Sequence, residues 1–323
     1  MNRIKSLIII TAAAVCVCTG CTKSEFTSQY SFPEENLLTT QNDRIFVKGF
    51  AADLCVSESD GDVNTDNVNA AAFGLFDISS GTVVSQHNIY DRVYPASTTK
   101  ILTCLIALEM GDPDDVVTIP KESGITVSGS SMADLKPGDK IRLSDLLYAL
   151  MVPSGNDAAV AIAHYISGDT AAFAEVMNNR AKELGAVHSH FTNPHGLPDD
   201  DHYTTVYDMY LIFNEAIRNE EFVKIAGTAE YSCTVTNDSE PEEKRERTVS
   251  WTCGNGFLNG KFDFAENMNV LCGKTGHTSK AGFCLVLGET DTQGDRYISI
   301  MMNSPVYEQL YAGMRNLAEK SRT

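Results

Sequence analysis

Residues 94–110 have the sequence YPASTTKILTCLIALEM, and this stretch decides how the rest of the chain is interpreted. The apolar run after Pro95 predicts a helix from Ser97 to Met110, which a Gly-Asp-Pro sequence ends. Residues three apart share a face of a helix, so the Ser97 hydroxyl and the Lys100 amine can meet. The stretch therefore predicts a helix that presents a hydroxyl beside an amine at its first turn.

This pair is a candidate nucleophile with its base. A serine hydroxyl needs a base before it can attack a carbonyl, and a desolvated lysine can supply one. The lysine pKa must fall from about 10.4 to near 7, which corresponds to about 4–5 kcal/mol that burial and a neighbouring cation can provide. The pattern Ser-x-x-Lys is expected about once by chance in a chain of this size. The alternative is therefore an N-capping serine and an exposed helical lysine.

Two further motifs lie downstream of this helix. Ser154-Gly155-Asn156 falls in a break between two apolar helices, and Lys274-Thr275-Gly276 ends a predicted strand. Taken alone, the first is typical of a loop and the second of an edge strand before a hairpin turn. Taken together, in this order and spacing, the three motifs match the S-x-x-K, S-x-N and K-T-G set of penicillin-recognising serine enzymes.

The chain resembles the D-alanyl-D-alanine carboxypeptidases among the low-molecular-mass penicillin-binding proteins. The similarity extends to the longer stretches YPASTTK (94–100), MVPSGNDAA (151–159), TNPHGL (192–197) and GKTGHTSKAG (273–282). It covers the chain from about Ala71 to Met302. The resemblance implies a fold of the serine β-lactamase and penicillin-binding-protein type.

The resemblance also implies catalytic roles. Ser97 would be acylated by the penultimate D-Ala of a peptidoglycan stem peptide, and Lys100 would take the Ser97 proton. Ser154, with Lys274, would relay a proton to the departing D-Ala, and Asn156 would hold the substrate amide and the Lys100 side chain. β-Lactam antibiotics would act as inhibitors. No metal or organic cofactor is expected.

The K-T-G motif would receive the C-terminal end of the substrate. Lys274 and Thr275 would bind the terminal carboxylate, which explains a preference for a free C-terminus. Gly276 and His277 belong to the same substrate-binding set. The backbone N–H groups of Ser97 and His277 would form the oxyanion hole, worth about 3–4 kcal/mol per donor. The implied function is removal of the terminal D-Ala from stem pentapeptides during peptidoglycan maturation.

The order of predicted elements favours an α/β (α+β) fold. Strands are predicted at 71–77, 82–84, 231–236, 247–253, 270–275, 282–287 and 297–302. Helices after the first are predicted at 146–152 with Ser144 as N-cap, at 157–166, at 170–184, from a capping box at 205 toward 217, and at 306–320. This order predicts a central, mainly antiparallel sheet flanked by helices, an all-helical subdomain, and an active site between them.

Residues 1–21 are predicted to be an export signal. A basic start precedes an apolar run at 7–17, which is shorter than the roughly 20 residues that a transmembrane helix needs. The sequence CTGC at 18–21 resembles a lipoprotein signal, so the alternatives are lipidation of Cys21 and ordinary cleavage. Residues 22–43 are expected to form a flexible tether, and residues 44–323 the catalytic domain, with no C-terminal β domain.

The charge of the chain bears on its partners. It has 25 basic and 43 acidic residues, for a formal net charge of −18. Such a charge repels phosphate backbones, so no nucleic-acid partner is expected. The predicted location is the outer face of the cytoplasmic membrane, held there by the N-terminal lipid; without the lipid the protein would be secreted.

Two other functions share part of this motif set. A β-lactamase has the same fold and the S-x-x-K and K-T-G motifs, but class A enzymes need a loop glutamate for deacylation. The segment between Ser154 and Lys274 contains no Glu-x-x-Leu-Asn. The other alternative is an inactive lipoprotein that binds wall peptides, which would have no need of the activation chemistry present here.

Histidines and cysteines leave two structural questions open. His188, His190, His195 and His202, with Asp199–Asp201, suggest either a metal site or a polar structural loop, and their spacing fits no specific ligand motif. Six cysteines follow the leader. The sequence permits Cys272 to face Cys284, and Cys233 to face Cys253, across hairpins that would allow disulfides, but spacing alone does not establish connectivity.

Overall fold

The computed structural model describes residues 54–57, 61–125, 127 and 129–322. The predicted signal 1–21 with Cys21, the predicted tether 22–43 and the start of the predicted catalytic domain lie outside these residues. No helix in the described part of the chain is long and apolar enough to cross a membrane.

The described residues form nine strands and seven α-helices. The strands are β1 Ala72–Asp77, β2 Thr82–His87, β3 Val116–Thr118, β4 Lys140–Arg142, β5 Glu230–Thr236, β6 Glu246–Thr252, β7 Met268–Thr278, β8 Gly282–Asp291 and β9 Arg296–Ser304. The helices are α1 Lys100–Met110, α2 Leu143–Met151, α3 Asn156–Ser167, α4 Thr170–Glu183, α5 Val206–Ala216, α6 Glu220–Ala226 and α7 Tyr307–Glu319.

The central sheet joins strands from distant parts of the chain, as predicted. Its five strands lie in the order β2-β1-β9-β8-β7, and every neighbouring pair is antiparallel. Phe73 of β1 is opposite Met301 of β9, so the middle of the sheet is made by residues more than 200 positions apart. The edge strand β7 carries the K-T-G motif and lies against the turn that contains Ser97.

The sheet separates two apolar cores, because side chains along a strand point alternately to its two faces. On one face, Phe76 and Val286 belong to the core that includes α1 and α5. On the other face, Phe73 and Leu287 pack under α7. Helix α1, which follows the candidate nucleophile Ser97, is thus buried in the larger core.

The other helices pack around α1. Helices α2, α3, α4 and α6 all contact it. The predicted hairpin is present as β5–β6, and two short strands that the pattern did not predict extend it to a four-stranded sheet in the order β3-β4-β5-β6. Tyr148 of α2 stacks on Tyr231 of β5 with 3.7 Å between ring centroids, which fixes this sheet to the helices.

The prediction that Ser144 caps a helix at 146–152 is wrong. Helix α2 begins earlier, at Leu143, after Arg142 in an extended conformation. The backbone N–H groups of Leu143 and Ser144 donate to the carbonyls of Asp115 and Pro113, at 2.8 and 3.1 Å. Because the preceding chain satisfies these N–H groups, the helix needs no side-chain cap.

The two hairpin disulfides that the sequence permitted are not formed, because all six described cysteines are free. The turn between β7 and β8 is centred on Lys280, which places Cys272 opposite Gly288 and Cys284 opposite Gly276. In the other hairpin Cys233 lies opposite Val249. Each predicted pair is therefore several residues out of register.

Candidate active site

The turn that carries the candidate nucleophile Ser97, which we call the nucleophile turn, has a constrained backbone. Residues Ala96–Thr99 form a short 3-10 helix that continues into α1, and Ala96 has a φ of 48°, in the left-handed region that non-glycine residues rarely adopt. Two hydroxyls hold this turn: Thr98 Oγ1 donates to the Pro95 carbonyl at 2.7 Å, and Thr99 Oγ1 to the Ala96 carbonyl at 2.8 Å. The turn thus presents Ser97 at the start of a buried helix.

Lys100 lies within hydrogen-bond distance of three oxygens. Its Nζ is 2.9 Å from Ser97 Oγ, 2.7 Å from Asn156 Oδ1 and 2.9 Å from the His195 carbonyl oxygen. An amide oxygen and a carbonyl can only accept, whereas a hydroxyl can also donate. A neutral amine at this position therefore uses its two N–H groups on Asn156 and His195, and directs its lone pair at the Ser97 hydroxyl.

The surroundings of Lys100 favour that neutral form. The side chain is fully buried, and this burial lowers its pKa well below the ordinary value of 10.5. The positive charge of Lys274 lowers the pKa of Lys100 further, while Asp157 partly offsets both effects. Burial and a neighbouring cation are the two causes that the sequence analysis invoked for lowering the pKa of a lysine base.

The loop 193–197 packs directly onto the nucleophile turn. Thr103 Oγ1 donates to the Pro194 carbonyl at 2.7 Å, one turn of α1 beyond the His195 contact with Lys100. Gly196 has a φ of 85°, and a Cβ built there would lie 1.8 Å from the Ala96 carbonyl oxygen. Only glycine fits this close approach, which explains the sequence Asn-Pro-His-Gly at this point.

The S-x-N motif forms the break between α2 and α3. Ser154 has a φ of 63°, and its hydroxyl is buried without a hydrogen-bond partner among the described residues. Asn156 begins α3 and is bound from both sides, since its Oδ1 accepts from Lys100 and its backbone N–H donates to the Ser131 carbonyl at 2.8 Å. The structure therefore brings Asn156 to Lys100 and leaves the Ser154 hydroxyl unsatisfied.

The K-T-G strand lies beside the nucleophile. A Cβ built at Gly276 would be 3.0 Å from the Ser97 backbone nitrogen, so the absence of a side chain lets β7 approach the turn. Lys274 is buried and donates to the Thr275 carbonyl at 3.0 Å, and burial lowers its pKa to about 7. Thr275 is half-buried, and His277 is exposed at the mouth of the site.

Asp157 was not predicted, although it directly follows the S-x-N motif. Its buried carboxylate accepts backbone N–H groups from Ala133 at 2.9 Å and Leu135 at 3.0 Å, which holds the 131–135 segment beside Asn156. Burial raises the pKa of Asp157, and these N–H groups offset part of that effect. An aspartate in a mostly apolar helix is a sequence signal that could have predicted a structural role for Asp157.

His202 is the second residue that the sequence did not resolve. Its Nδ1 accepts the Thr192 N–H at 3.0 Å, so the proton lies on Nε2, which is 2.8 Å from Thr99 Oγ1. Thr99 in turn holds the Ala96 carbonyl. Burial lowers the pKa of His202 to about 4, so the ring is neutral near pH 7. This histidine belongs to the scaffold of the nucleophile turn.

The other histidines in that region do not converge. His195 is mostly buried, its Nδ1 accepts the Leu197 N–H at 3.1 Å, and burial lowers its pKa to about 3. His190 pairs instead with the Asp201 carbonyl at 2.6 Å. Within the residues that the structure describes, no group of three or more His, Cys, Asp or Glu side chains is placed to hold a metal ion.

The chain is similar to several known proteins. A family model described as D-alanyl-D-alanine carboxypeptidase matches residues 59–306, which include all three motifs. DacA of Haemophilus influenzae, a D-alanyl-D-alanine carboxypeptidase, is 33% identical over 254 residues, covering 76% of this chain and 60% of the relative. DacD of Escherichia coli is 34% identical over 252 residues, covering 73% and 59%. The chain thus spans about 60% of the length of these curated relatives.

A solved structure has the same architecture. The DD-transpeptidase of Streptomyces K15 matches with a TM-score of 0.72 and 26% sequence identity. The match covers 80% of this chain and 99% of that chain. The predicted mixed fold, an antiparallel sheet with flanking helices, is therefore confirmed.

Proposed function

The chain belongs to the D-alanyl-D-alanine carboxypeptidase family, and on that premise we propose that it is a serine-type peptidase that removes the terminal D-Ala from peptidoglycan stem pentapeptides. The observation that carries the proposal is the buried Lys100 amine, 2.9 Å from the Ser97 hydroxyl. Two acceptors orient this amine, and burial lowers its pKa and so favours its neutral form. Such a pair can produce an activated serine nucleophile without any third catalytic group.

Acylation begins with transfer of the Ser97 proton to Lys100. The Ser97 oxygen attacks the carbonyl carbon of the penultimate D-Ala, and the resulting oxyanion lies between the backbone N–H groups of Ser97 and His277. The close approach of Gly276 to the Ser97 nitrogen supports this placement. The C–N bond then breaks, and the ester to Ser97 remains.

The departing D-Ala needs a proton on its amine and a site for its carboxylate. Lys274 and Thr275 bind the carboxylate. The Ser154 hydroxyl, with Lys274, relays to the amine the proton that Lys100 took from Ser97, which returns Lys100 to its neutral form. An unsatisfied buried hydroxyl is costly to the protein alone, so a substrate that supplies its partner is favoured. Asn156 holds both the substrate amide and the Lys100 side chain. A water molecule then hydrolyses the ester, giving a tetrapeptide and free Ser97.

The test combines intact mass with product release. After incubation with benzylpenicillin, the protein should gain the mass of one acyl group on Ser97, and it should release D-Ala from diacetyl-Lys-D-Ala-D-Ala. Ser97→Ala should abolish both, while Ser80→Ala, in an exposed turn of the first hairpin, should preserve both. D-Ala release by Ser97→Ala, or rapid turnover of the penicillin, would reject the proposed mechanism in favour of another nucleophile or a β-lactamase.

Transpeptidation is a second candidate, because the similar solved structure from Streptomyces K15 is a DD-transpeptidase. The two reactions share the acyl-enzyme and differ in whether water or an amine attacks it. Adding glycylglycine to the peptide assay separates them. A transpeptidase forms a new amide product, whereas a carboxypeptidase gives the free tetrapeptide-type acid.

The location is proposed from the leader. Residues 1–21 have the basic start, apolar run and small residues of an export signal, and CTGC at 18–21 supports lipidation of Cys21. A lipid on Cys21 would hold the protein at the outer face of the cytoplasmic membrane, where stem peptides are found. Labelling with a palmitate analogue, with Cys21→Ala as control, tests this; equal labelling of both proteins would reject it.

A further inference from the structure

Aromatic rings connect the K-T-G strand to helix α7. His277 stacks on Phe283 with 4.1 Å between ring centroids, and Phe283 contacts Tyr307 at 5.7 Å. Tyr307 contacts Phe262 at 5.7 Å, and Lys261 lies 4.5 Å above the Tyr307 ring. Apart from the exposed His277, these rings are half-buried. A continuous aromatic path therefore leads away from the mouth of the site.

The path ends in a groove that the proposed reaction does not use. We call it the α7 groove: it lies between residues 261–263 and the outer side of α7, from Glu308 to Glu319, and has a volume of about 600 Å³. Phe262, stacked on Tyr311 at 4.3 Å, forms its aromatic wall. Asp263 and Arg315 are among the polar side chains along its length. A cleft of this size is typical of a ligand site.

The direction of the bound peptide points to this groove. If the terminal carboxylate lies at Lys274 and the acylated carbonyl near Ser97 and His277, the upstream residues continue past His277. Four stem residues separate the acylated carbonyl from the sugar, and at about 3.3–3.6 Å per residue they span at most about 14 Å. The three ring-to-ring steps of 4.1, 5.7 and 5.7 Å set an upper limit of similar size on the distance from the His277 ring to the Phe262 ring.

We propose that the α7 groove binds the glycan to which the stem peptide is attached, a neutral chain of N-acetylated amino sugars. The inference rests on the proposed function and adds a second subsite to it. Sugar rings place C–H groups on aromatic faces and offer hydroxyl and amide groups to polar side chains. The groove offers the half-buried Phe262 ring and polar side chains that include acidic and basic residues of nearly balanced charge. The net charge of −18 disfavours a polyanionic occupant.

The test measures binding to a protein that cannot turn the ligand over. Ser97→Ala should bind an N-acetylglucosaminyl-N-acetylmuramyl pentapeptide about tenfold more tightly than the free pentapeptide, a difference of about 1.4 kcal/mol. Ala312 is exposed and lines the groove, so Ala312→Trp should fill it and reduce the difference to less than twofold. Affinity for the free pentapeptide should not change.

The matched control is Ala171→Trp, the same substitution at an exposed position of α4 outside the groove, which should keep the tenfold preference. Arg315→Ala is a second groove variant, because Arg315 is half-exposed and its ion pair with Glu319 contributes little to stability; it should reduce the preference about threefold. Equal binding of the two ligands, or full preference in both groove variants, overturns the proposal.

Failure of the proposed function looks different. If the wild-type protein forms no penicillin adduct and releases no D-Ala, the carboxypeptidase assignment fails whatever the groove does. If it releases D-Ala normally and Ser97→Ala binds both ligands equally, only the glycan subsite fails. Preference for the glycan-bearing ligand that Ala312→Trp removes supports the subsite in either case.

Discussion

Two buried ionisable groups, one in helix α1 and one in strand β8 of the central sheet, have contrasting surroundings. Lys100, beside edge strand β7, has three oxygens within 2.9 Å and two charged groups that act on its pKa. Glu289, in β8, has no hydrogen-bond partner of normal geometry within the described chain, although the Ser299 hydroxyl is near enough to lower its pKa slightly. Burial shifts both groups toward the neutral form. Only at Lys100 do positioned partners turn that neutral form into a base.

The largest expected effect comes from removing the base. Lys100→Ala should slow acylation by benzylpenicillin about 10²- to 10⁴-fold, since general base catalysis contributes about that much. The second-order rate of acylation, followed by intact mass, measures it. Lys140→Ala, which removes an exposed lysine paired with Asp238, should acylate at the wild-type rate. A folded Lys100→Ala protein that acylates within tenfold of wild type would show that burial of this lysine has no catalytic purpose.

The scaffold around Lys100 gives the next largest effect. Gly196→Ala adds a Cβ at 1.8 Å from the Ala96 carbonyl, on a residue with a φ of 85°, and should cost about 3–5 kcal/mol of unfolding free energy. Gly168→Ala is its matched control: the φ is 84°, but nothing lies within 4 Å of the added carbon, so only about 1–2 kcal/mol is expected. Urea unfolding compares the two. Equal losses would mean that strain, and not the close approach, requires glycine at 196.

Glu289 tests the other half of the comparison. Burial raises its pKa from 4.5 to about 8, so between these pH values the folded state holds a proton that the unfolded state has lost. Stability should therefore fall as the pH rises from about 5 to 8, by about 2–4 kcal/mol from this group. Glu289→Gln should remove that part of the slope, while the exposed Glu266→Gln should keep it. The measurement is the unfolding free energy of each protein from pH 5 to 9. If its pH dependence is unchanged in Glu289→Gln, the raised pKa of Glu289 is not its cause.

The smallest expected effect is the pH dependence of carboxylate binding. Burial lowers the pKa of Lys274 to about 7, so the free protein loses this ammonium as the pH rises above 7. For a peptide with a free C-terminus, kcat/KM should then fall up to tenfold per pH unit above about 7, because this ratio follows the free enzyme. For the same peptide with a C-terminal amide, kcat/KM should not show this fall above pH 7. An identical alkaline limb for both peptides would remove Lys274 from carboxylate recognition.

The sequence predicted the parts of the site that depend on local spacing. The hydroxyl and amine of Ser97 and Lys100 meet because the residues are three apart at a helix start, and both the helix and the contact are present. The S-x-N break is also where the pattern indicated, whereas K-T-G does not end its strand as predicted, because β7 continues to Thr278. The order of strands and helices likewise predicted a sheet made from both ends of the described chain.

Contacts between distant segments could not be predicted from local spacing. Nothing near His202 indicates that its ring binds Thr99, 103 positions away. Nothing near Gly196 indicates that it lies against Ala96. The cysteine pairings that the sequence permitted are absent for a related reason: each hairpin turn is centred two residues away from the midpoint of its cysteine pair, which moves every partner by four positions. Long-range packing and strand register are properties of the assembled fold, which short motifs do not record.

The pairing of β1 with β9 has a consequence for the order in which the protein matures. Ala72 and Met302 are partners about 230 positions apart. A chain delivered N-terminus first through a membrane holds β1 without this neighbour until β9 has emerged, and β7 reaches β1 only through β8 and β9. The nucleophile helix is therefore delivered early, but its K-T-G partner is fixed last. If the chain is exported as proposed, the site between α1 and β7 would be completed only after β9 has emerged.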